Sequence, residues 1–222
     1  MSWSRGRRRI ATTVGIVGIA LLVLGVLVVL EMRGAPEVAP PTAEDDPRIV
    51  RADSQVLQEA PEGAPVFVEF LDFECEVCGA LYPFVEQLRQ TYAGQVTFVT
   101  RYFPIPGHAN SRTAAHAAEA AARQGQFEAM YKRLFETQAS WGESREDQSG
   151  LFRTYAEELG LDMDQYDEDV TGDDVAARVE ADYQDAVSLG LAGTPSLFLD
   201  GRPLQPTSAA ELIDAFENAV RD

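Results

Sequence analysis

The sequence predicts an α/β domain with an inserted helical domain, preceded by one N-terminal transmembrane helix. Three observations lead to this prediction: a charge-free stretch near the N-terminus, two strand-like runs that flank a helical run, and a block of helical patterns followed by a hairpin signal. A chain of 222 residues is long enough for such a domain to bury a core without structural disulfides.

The N-terminus combines a basic cluster with a long apolar run. Residues 1–9 contain four arginines, and residues 10–30 carry no charge. As a helix, this run would span roughly 30 Å, about one bilayer core. The alternative is a cleavable signal peptide, but its apolar region is usually only ~7–15 residues and no clean A-x-A site follows here. We therefore expect a retained, single-pass signal anchor in the cell membrane, with residues 1–9 in the cytoplasm and the remainder outside it.

Residues 31–48 are rich in proline and acidic side chains, and they contain too little apolar surface to order themselves. We interpret them as a flexible linker to a domain at residues 49–222. After residue 30 the chain carries 14 basic and 36 acidic residues, a net charge of −22. Such a domain would repel nucleic acid, which is therefore not expected as a partner.

The first half of the domain predicts a β-α-β unit. Residues 65–71 and 96–102 are short runs of apolar, β-branched and aromatic residues, and residues 78–92 place leucine and valine at helical spacing between them. Two strands joined through a helix in this way are predicted to be parallel.

A helical block is predicted at about residues 110–190, and a hairpin and a last helix follow it. Asp200-Gly201 separates two short extended runs, which is a strong hairpin signal. Ser208 and Glu211 fit a capping box at the start of a helix that runs to Val220. The helical runs within the block are residues 110–124, 127–138, 151–159, 164–170 and 173–189.

Cys75 and Cys78 are the only cysteines, and they follow the first predicted strand at the start of its helix. A Cys-x-x-Cys pair in this position is typical of a thiol–disulfide redox site, in which a thiolate is the attacking species. A helix N-terminus stabilises an anion by roughly 0.3–2 kcal/mol. Asp72, Glu74 and Glu76 oppose it, since an exposed carboxylate at ~4 Å costs about 1 kcal/mol. The two effects are similar in size, so the pattern does not predict a strongly acidic thiol.

Glu69 is the one polar residue in an otherwise apolar strand. If it is buried below the dithiol, desolvation would raise its pKa, and its carboxylate could take the proton from Cys78 during exchange. The alternative is that the strand lies at a sheet edge, where Glu69 would reach water.

Thr194-Pro195 stands immediately before a strand, a position in which the missing N–H of proline costs no ladder bond. An X-Pro bond is trans by default. Close to a predicted redox site we instead expect this bond to be cis.

Together these features resemble the DsbA-like branch of the thioredoxin superfamily. Residues 70–79, FLDFECEVCG, look like its Phe-x-Asp-Phe-x-Cys-x-x-Cys signature. Residues 101–104 are similar to its second-strand exit, and residues 193–201 to its cis-proline loop and hairpin. The resemblance implies a thioredoxin fold with an inserted helical domain, and thiol–disulfide exchange outside the cytoplasm without a cofactor.

The resemblance also implies roles for individual residues. Cys75 would be the nucleophile, Cys78 the resolving thiol and Glu69 the buried acid. Pro195 would face the dithiol, and Thr194 would offer backbone groups to an extended substrate segment. The best-known oxidant of the family has proline and histidine between its cysteines, where this chain has glutamate and valine, so a very oxidising potential is not implied.

Three functions remain open at this point. The favoured one is an oxidase that donates disulfides to exported, cysteine-containing proteins and is reoxidised by a membrane partner. The others are a reductase or isomerase kept reduced by a membrane electron donor, and a tethered module that binds clients without turnover.

A zinc site formed by the cysteines with His108 and His116 is the metal-binding alternative. Seven residues separate the two histidines, where three to five is usual, and nothing else supplies ligands, so no metal is predicted. His108 is interpreted as a loop residue near the site, and His116 as structural.

Overall fold

A computed structural model describes residues 46–221, which form one mixed sheet and a set of helices. The strands are β1 Gln55–Gln58, β2 Val66–Leu71, β3 Thr97–Tyr102, β4 Ser196–Leu199 and β5 Arg202–Leu204. The helices are α1 Glu76–Thr91, α2 Ser111–Ala122, α3 Phe127–Thr137, α4 Ser149–Glu158, α5 Met163–Val170, α6 Asp173–Ser188 and α7 Ala209–Ala219. A short 3-10 helix, Gln138–Ser140, follows α3.

The strand order is β1-β3-β2-β4-β5, so β2 lies at the centre of the sheet. The predicted parallel pairing of β2 with β3 is confirmed, and the other neighbours are antiparallel. The predicted order of a β-α-β unit, a helical block, a hairpin and a last helix is also confirmed.

The sequence pattern does not predict β1. This strand has only four residues, two of them glutamines, and it pairs with β3 at the sheet edge through an irregular register between Val56 and Gln58. Val56 is 44% exposed. A polar edge strand of this length has no apolar alternation by which it could be recognised.

The hairpin and the last helix begin with the expected local chemistry. Asp200 and Gly201 both have positive φ, 50° and 69°, as a tight two-residue hairpin turn requires. Ser208 accepts a hydrogen bond from the backbone of Glu211 at 3.3 Å. The Glu211 carboxylate accepts one from the N–H of Thr207, so the capping box closes one residue earlier than its standard form.

The two faces of the sheet pack into separate apolar cores. On one face Phe67 and Phe98 meet Phe216 of α7, at ring distances of 5.2 and 5.7 Å, and the helical block continues this core. On the other face Val68 and Phe70 pack in a smaller core that includes residues of α6. The dithiol belongs to the first core.

A buried ion pair ties α6 to the sheet. Arg101 of β3 is fully buried and donates to Asp182 and Asp185 at 2.7 Å each. It also donates to the carbonyl oxygens of Arg48 and Ile49. Breaking a pair of this kind leaves an uncompensated buried charge, so Arg101 fixes the start of the domain as well as α6.

Within residues 46–221, no helix has both the length and the apolar character needed to cross a bilayer. The predicted anchor at residues 10–30, the cytoplasmic tail and all of the predicted linker before residue 46 lie outside the described residues.

Candidate active site

The dithiol lies where β2 ends and α1 begins. Cys75 is the N-cap residue of α1, and Cys78 lies in its first turn. Cys75 is 6% exposed and Cys78 is 0% exposed. One sulfur is therefore next to solvent and the other is shielded behind it, which suits an attacking thiol and a resolving thiol.

The pKa of Cys75 is lowered to about 5. The largest cause is a hydrogen bond with the Cys78 thiol, and burial opposes it. The Thr194 side chain and the backbone N–H groups of Cys78 and Val77 lower this pKa further. In the sequence analysis, the effect of the helix N-terminus on the Cys75 pKa is set against that of the nearby carboxylates. The hydrogen bond with the Cys78 thiol is not included, so the acidity of Cys75 is underestimated.

Cys78 has the opposite character. Burial raises the pKa of its thiol well above the usual value, and the hydrogen bond to Cys75 and the negative charge of Glu69 add to this. At neutral pH Cys78 therefore keeps its proton in the reduced dithiol, and a base must accept that proton before its sulfur can attack.

Glu69 lies on β2 between β3 and β4, so the alternative of an exposed edge strand is wrong. The residue is 3% exposed. Burial raises the pKa of its carboxyl to about 8, and the negative charges of Cys75 and Glu86 contribute. A group with this pKa gains and loses a proton close to neutral pH, which is what transfer to and from Cys78 requires.

The Thr194–Pro195 loop faces the dithiol. The peptide bond between them is cis, as expected. The carbonyl oxygen of Thr194 lies 3.5 Å from the Cys75 sulfur. All of the predicted site residues thus lie together at one end of β2.

Two of the three carboxylates expected to oppose the thiolate are buried instead. Asp72 and Glu74 are each 2% exposed, and only Glu76 is exposed. Asp72 accepts from the backbone N–H groups of Glu74 and Ile105, both at 2.9 Å. Glu74 accepts from the N–H of Asn110 at 2.6 Å. Their hydrogen bonds fix the loops around the dithiol, so treating them as solvated charges is wrong.

His108 belongs to the same network, whereas His116 does not. The Nδ1 atom of His108 lies 2.6 Å from Asp72 Oδ2. Burial lowers the pKa of His108, but the hydrogen bond and charge of Asp72 raise it more, so the net change is upward. His116 is half-buried on α2. Among residues 46–221 there is no group of three or more ligating side chains arranged for a metal ion.

Gln138 reaches the dithiol loop from the helical block. Its side-chain Nε2 donates to the carbonyl oxygens of Phe73 and Cys75, at 2.7 and 2.9 Å. No local sequence signal points to this residue, because the contact joins positions more than 60 residues apart.

A groove of about 1040 Å³ lies at the other end of the sheet, near the start of β2 and the Asp200-Gly201 turn. None of the predicted site residues lines it. The groove therefore has no part in the chemistry of the dithiol.

Comparison with known proteins agrees with this geometry. Residues 55–218 match a family model described as Thioredoxin. A thioredoxin-like oxidoreductase from Silicibacter pomeroyi is 30% identical, with a TM-score of 0.64 over 81% of this chain and 96% of that one. BdbD from Bacillus subtilis, in its oxidised form, is 20% identical, with a TM-score of 0.67 over 76% of this chain and 94% of that one.

Curated relatives of the chain are larger proteins. A Na⁺/H⁺ antiporter, NhaA 1, from a Mycobacterium species is 37% identical over 176 residues, which are 77% of this chain and 27% of the antiporter. The chain thus spans about a quarter of the length of the curated relatives it matches.

Proposed function

The chain belongs to the thioredoxin family, with the fold of DsbA-like thiol–disulfide oxidoreductases, and from this membership we propose that it exchanges disulfides with exported proteins outside the cytoplasm. The single observation that carries the proposal is the asymmetric dithiol. Cys75 has a pKa of about 5 beside solvent, whereas Cys78 is fully buried with a raised pKa.

The favoured direction is oxidation of client thiols. A low pKa at Cys75 stabilises the reduced dithiol, and a stable reduced form makes the corresponding disulfide a stronger oxidant. This supports an oxidase in spite of the missing histidine between the cysteines. The Thr194 side chain, the Cys78 thiol and two backbone N–H groups together stabilise the Cys75 thiolate instead.

The proposed reaction transfers two electrons from two client thiols to the Cys75–Cys78 disulfide. A client thiolate attacks the Cys75 sulfur, forms a mixed disulfide and releases Cys78 as a thiolate, which takes a proton from Glu69. A second client thiolate then attacks the client sulfur of the mixed disulfide, which forms the client disulfide and releases Cys75 as a thiolate. Thr194 and Pro195 line the position where an extended client segment would lie.

We further propose that residues 10–30 hold the domain at the membrane, where a membrane enzyme reoxidises the dithiol. The long uncharged run and the arginines before it support this location. Ion antiport is not proposed, because the chain spans about a quarter of the antiporters it matches.

The second candidate is a reductase or isomerase, and the reduction potential separates the two. The purified chain, equilibrated with glutathione buffers, is expected to have a potential close to the roughly −120 mV of strong oxidants. A potential near the roughly −270 mV of thioredoxin would instead establish the reductive direction.

Exchange itself is tested with two serine variants. Cys75→Ser and Cys78→Ser are both expected to abolish the oxidation of a reduced client, because neither variant can form the Cys75–Cys78 disulfide. Mixed with a client disulfide, Cys78→Ser should accumulate a mixed disulfide through Cys75, because the thiol that would attack it is missing. If Cys75→Ser oxidised the client as fast as the parent chain, redox catalysis by this dithiol would be excluded and a client-binding module would remain.

A further inference from the structure

Gln138 projects from a rigid turn of the helical block. Its carbonyl oxygen accepts from the N–H groups of Trp141 and Gly142, at 3.1 and 2.7 Å. Trp141 is 1% exposed and packs against Phe152 with ring centroids 4.8 Å apart. The backbone of Gln138 is therefore fixed by the core of the helical block, and its side chain leaves that block in a defined direction.

The side-chain amide of Gln138 contacts the backbone both before and after the dithiol. Its Nε2 donates to the carbonyl oxygens of Phe73 and Cys75. Its Oε1 lies against Gly79, the residue after Cys78, where an added Cβ would be only 1.9 Å from that oxygen. Glycine is less favourable than alanine within a helix, so the close approach of Gln138 explains why a glycine stands in the first turn of α1.

Cys75 lacks the usual means of fixing an N-cap. Its side chain makes no capping hydrogen bond, although its backbone has the extended conformation that is usual at this position, with φ −69° and ψ 121°. Its carbonyl oxygen accepts from the N–H of Gly79 at 3.0 Å. The same oxygen also accepts from Gln138, so a group outside α1 restrains the backbone of the nucleophile.

We propose that Gln138 is a positioning residue, which holds the Cys75 backbone so that the N–H groups of Val77 and Cys78 face the Cys75 sulfur. The proposal rests on the proposed redox function and adds a residue that controls the acidity of its reactive thiol, Cys75. A residue of the helical block thereby sets the reactivity of the Cys75 thiol, which lies outside that block at the start of α1.

The first test replaces Gln138 with methionine, which has similar length and no N–H donor. In the reduced chain, ultraviolet absorbance reports the titration of the Cys75 thiolate. Loss of N-terminal helix stabilisation predicts that the midpoint rises by about one pH unit, roughly a tenfold smaller thiolate fraction below it. The matched control is Gln124→Met. Gln124 makes two hydrogen bonds with the backbone of Asp162 within the helical block, and its loss should leave the titration unchanged.

The second test uses the contact between Gly79 and Gln138. Gly79→Ala should raise the titration midpoint in the parent chain, because its methyl group displaces the glutamine side chain. In a Gln138→Ala background the same change should add little, since the space is then empty. Additive shifts from the two changes, or an unchanged midpoint in Gln138→Met, would overturn the proposal.

Thiolate titration needs neither a client nor turnover, so these results are independent of the proposed function. A chain that failed to oxidise clients but showed the predicted shifts would disprove the function and leave the positioning role standing. Thermal unfolding of each variant, followed in parallel, separates a local shift of the thiol from a general loss of structure.

Discussion

Glu69 lies opposite Thr100 in the parallel register of β2 and β3, and both residues are buried. The Thr100 hydroxyl has no hydrogen-bond partner in the part of the chain that the structure describes. A carboxylate in this position loses its hydration, which is why burial is the first cause of its raised pKa. The candidate site therefore contains an acid that destabilises the fold whenever it is ionised.

Glu69→Gln is expected to stabilise the protein at neutral pH. The carboxyl has a pKa of about 8 in the folded chain and an ordinary value of 4.5 when exposed. Between these values the folded state binds more protons than the unfolded state, so the stability of the parent chain falls as pH rises through the window. At pH 7 the free energy of unfolding of the variant should exceed that of the parent chain by about 3 kcal/mol. This difference should vanish below about pH 4.5.

Urea unfolding at several pH values measures this difference, with Glu128→Gln as the control. Burial raises the pKa of Glu128, but Lys132 and Arg89 lower it more, so its contribution to stability is lost on acidification. The Glu128→Gln difference should therefore have the opposite slope. A pH-independent effect of Glu69→Gln would mean that its carboxyl titrates normally in the folded protein.

The same substitution is expected to slow exchange. Glutamine preserves the shape of Glu69 but cannot take the proton from the Cys78 thiol, whose pKa is raised. Positioned bases typically contribute 10²–10⁴-fold. The attack of Cys78 on a mixed disulfide between Cys75 and a client, which is the reverse of the first step of client oxidation, is therefore expected to be about tenfold or more slower near pH 7. Stopped-flow exchange measures this step, and Glu119→Gln provides a control at a buried glutamate on α2. Equal rates for Glu69→Gln and the parent chain would remove Glu69 from the mechanism.

The parts of the fold that the sequence predicts are those that rest on local signals. The apolar run before Cys75, the Asp200-Gly201 turn and the Ser208 cap each depend on a few neighbouring residues, and all are present in the structure. The burial of Glu69 is only partly predicted, because the sequence leaves an edge strand open and the pairing of β2 with both β3 and β4 excludes it.

The features that the sequence does not predict depend on contacts between distant segments. β1 is defined by its pairing with β3, not by its own composition. From the sequence, Asp72 and Glu74 are expected to be solvated charges. In the structure the segment after β3 covers them and supplies hydrogen-bond donors. The acidity of Cys75 depends on the direction of the Cys78 thiol, and the position of Gln138 depends on the packing of the helical block.

The two histidines predict stability changes of opposite sign. Asp72 raises the net pKa of His108 in spite of burial, so its contribution to stability is present below about pH 6.5 and is lost as pH rises through the folded-state pKa. Burial and the charge of Arg112 lower the pKa of His116, so its contribution is present above about pH 6.5 and is lost as pH falls.

His108→Asn should therefore destabilise the chain more at about pH 5.5 than at about pH 8.5, and His116→Asn should show the reverse order. Urea unfolding of both variants and the parent chain at these two pH values measures the effect, and each histidine serves as the control for the other. The expected result is that the two destabilisations change with pH in opposite directions. Parallel profiles would show that Asp72 does not hold His108 in its protonated form.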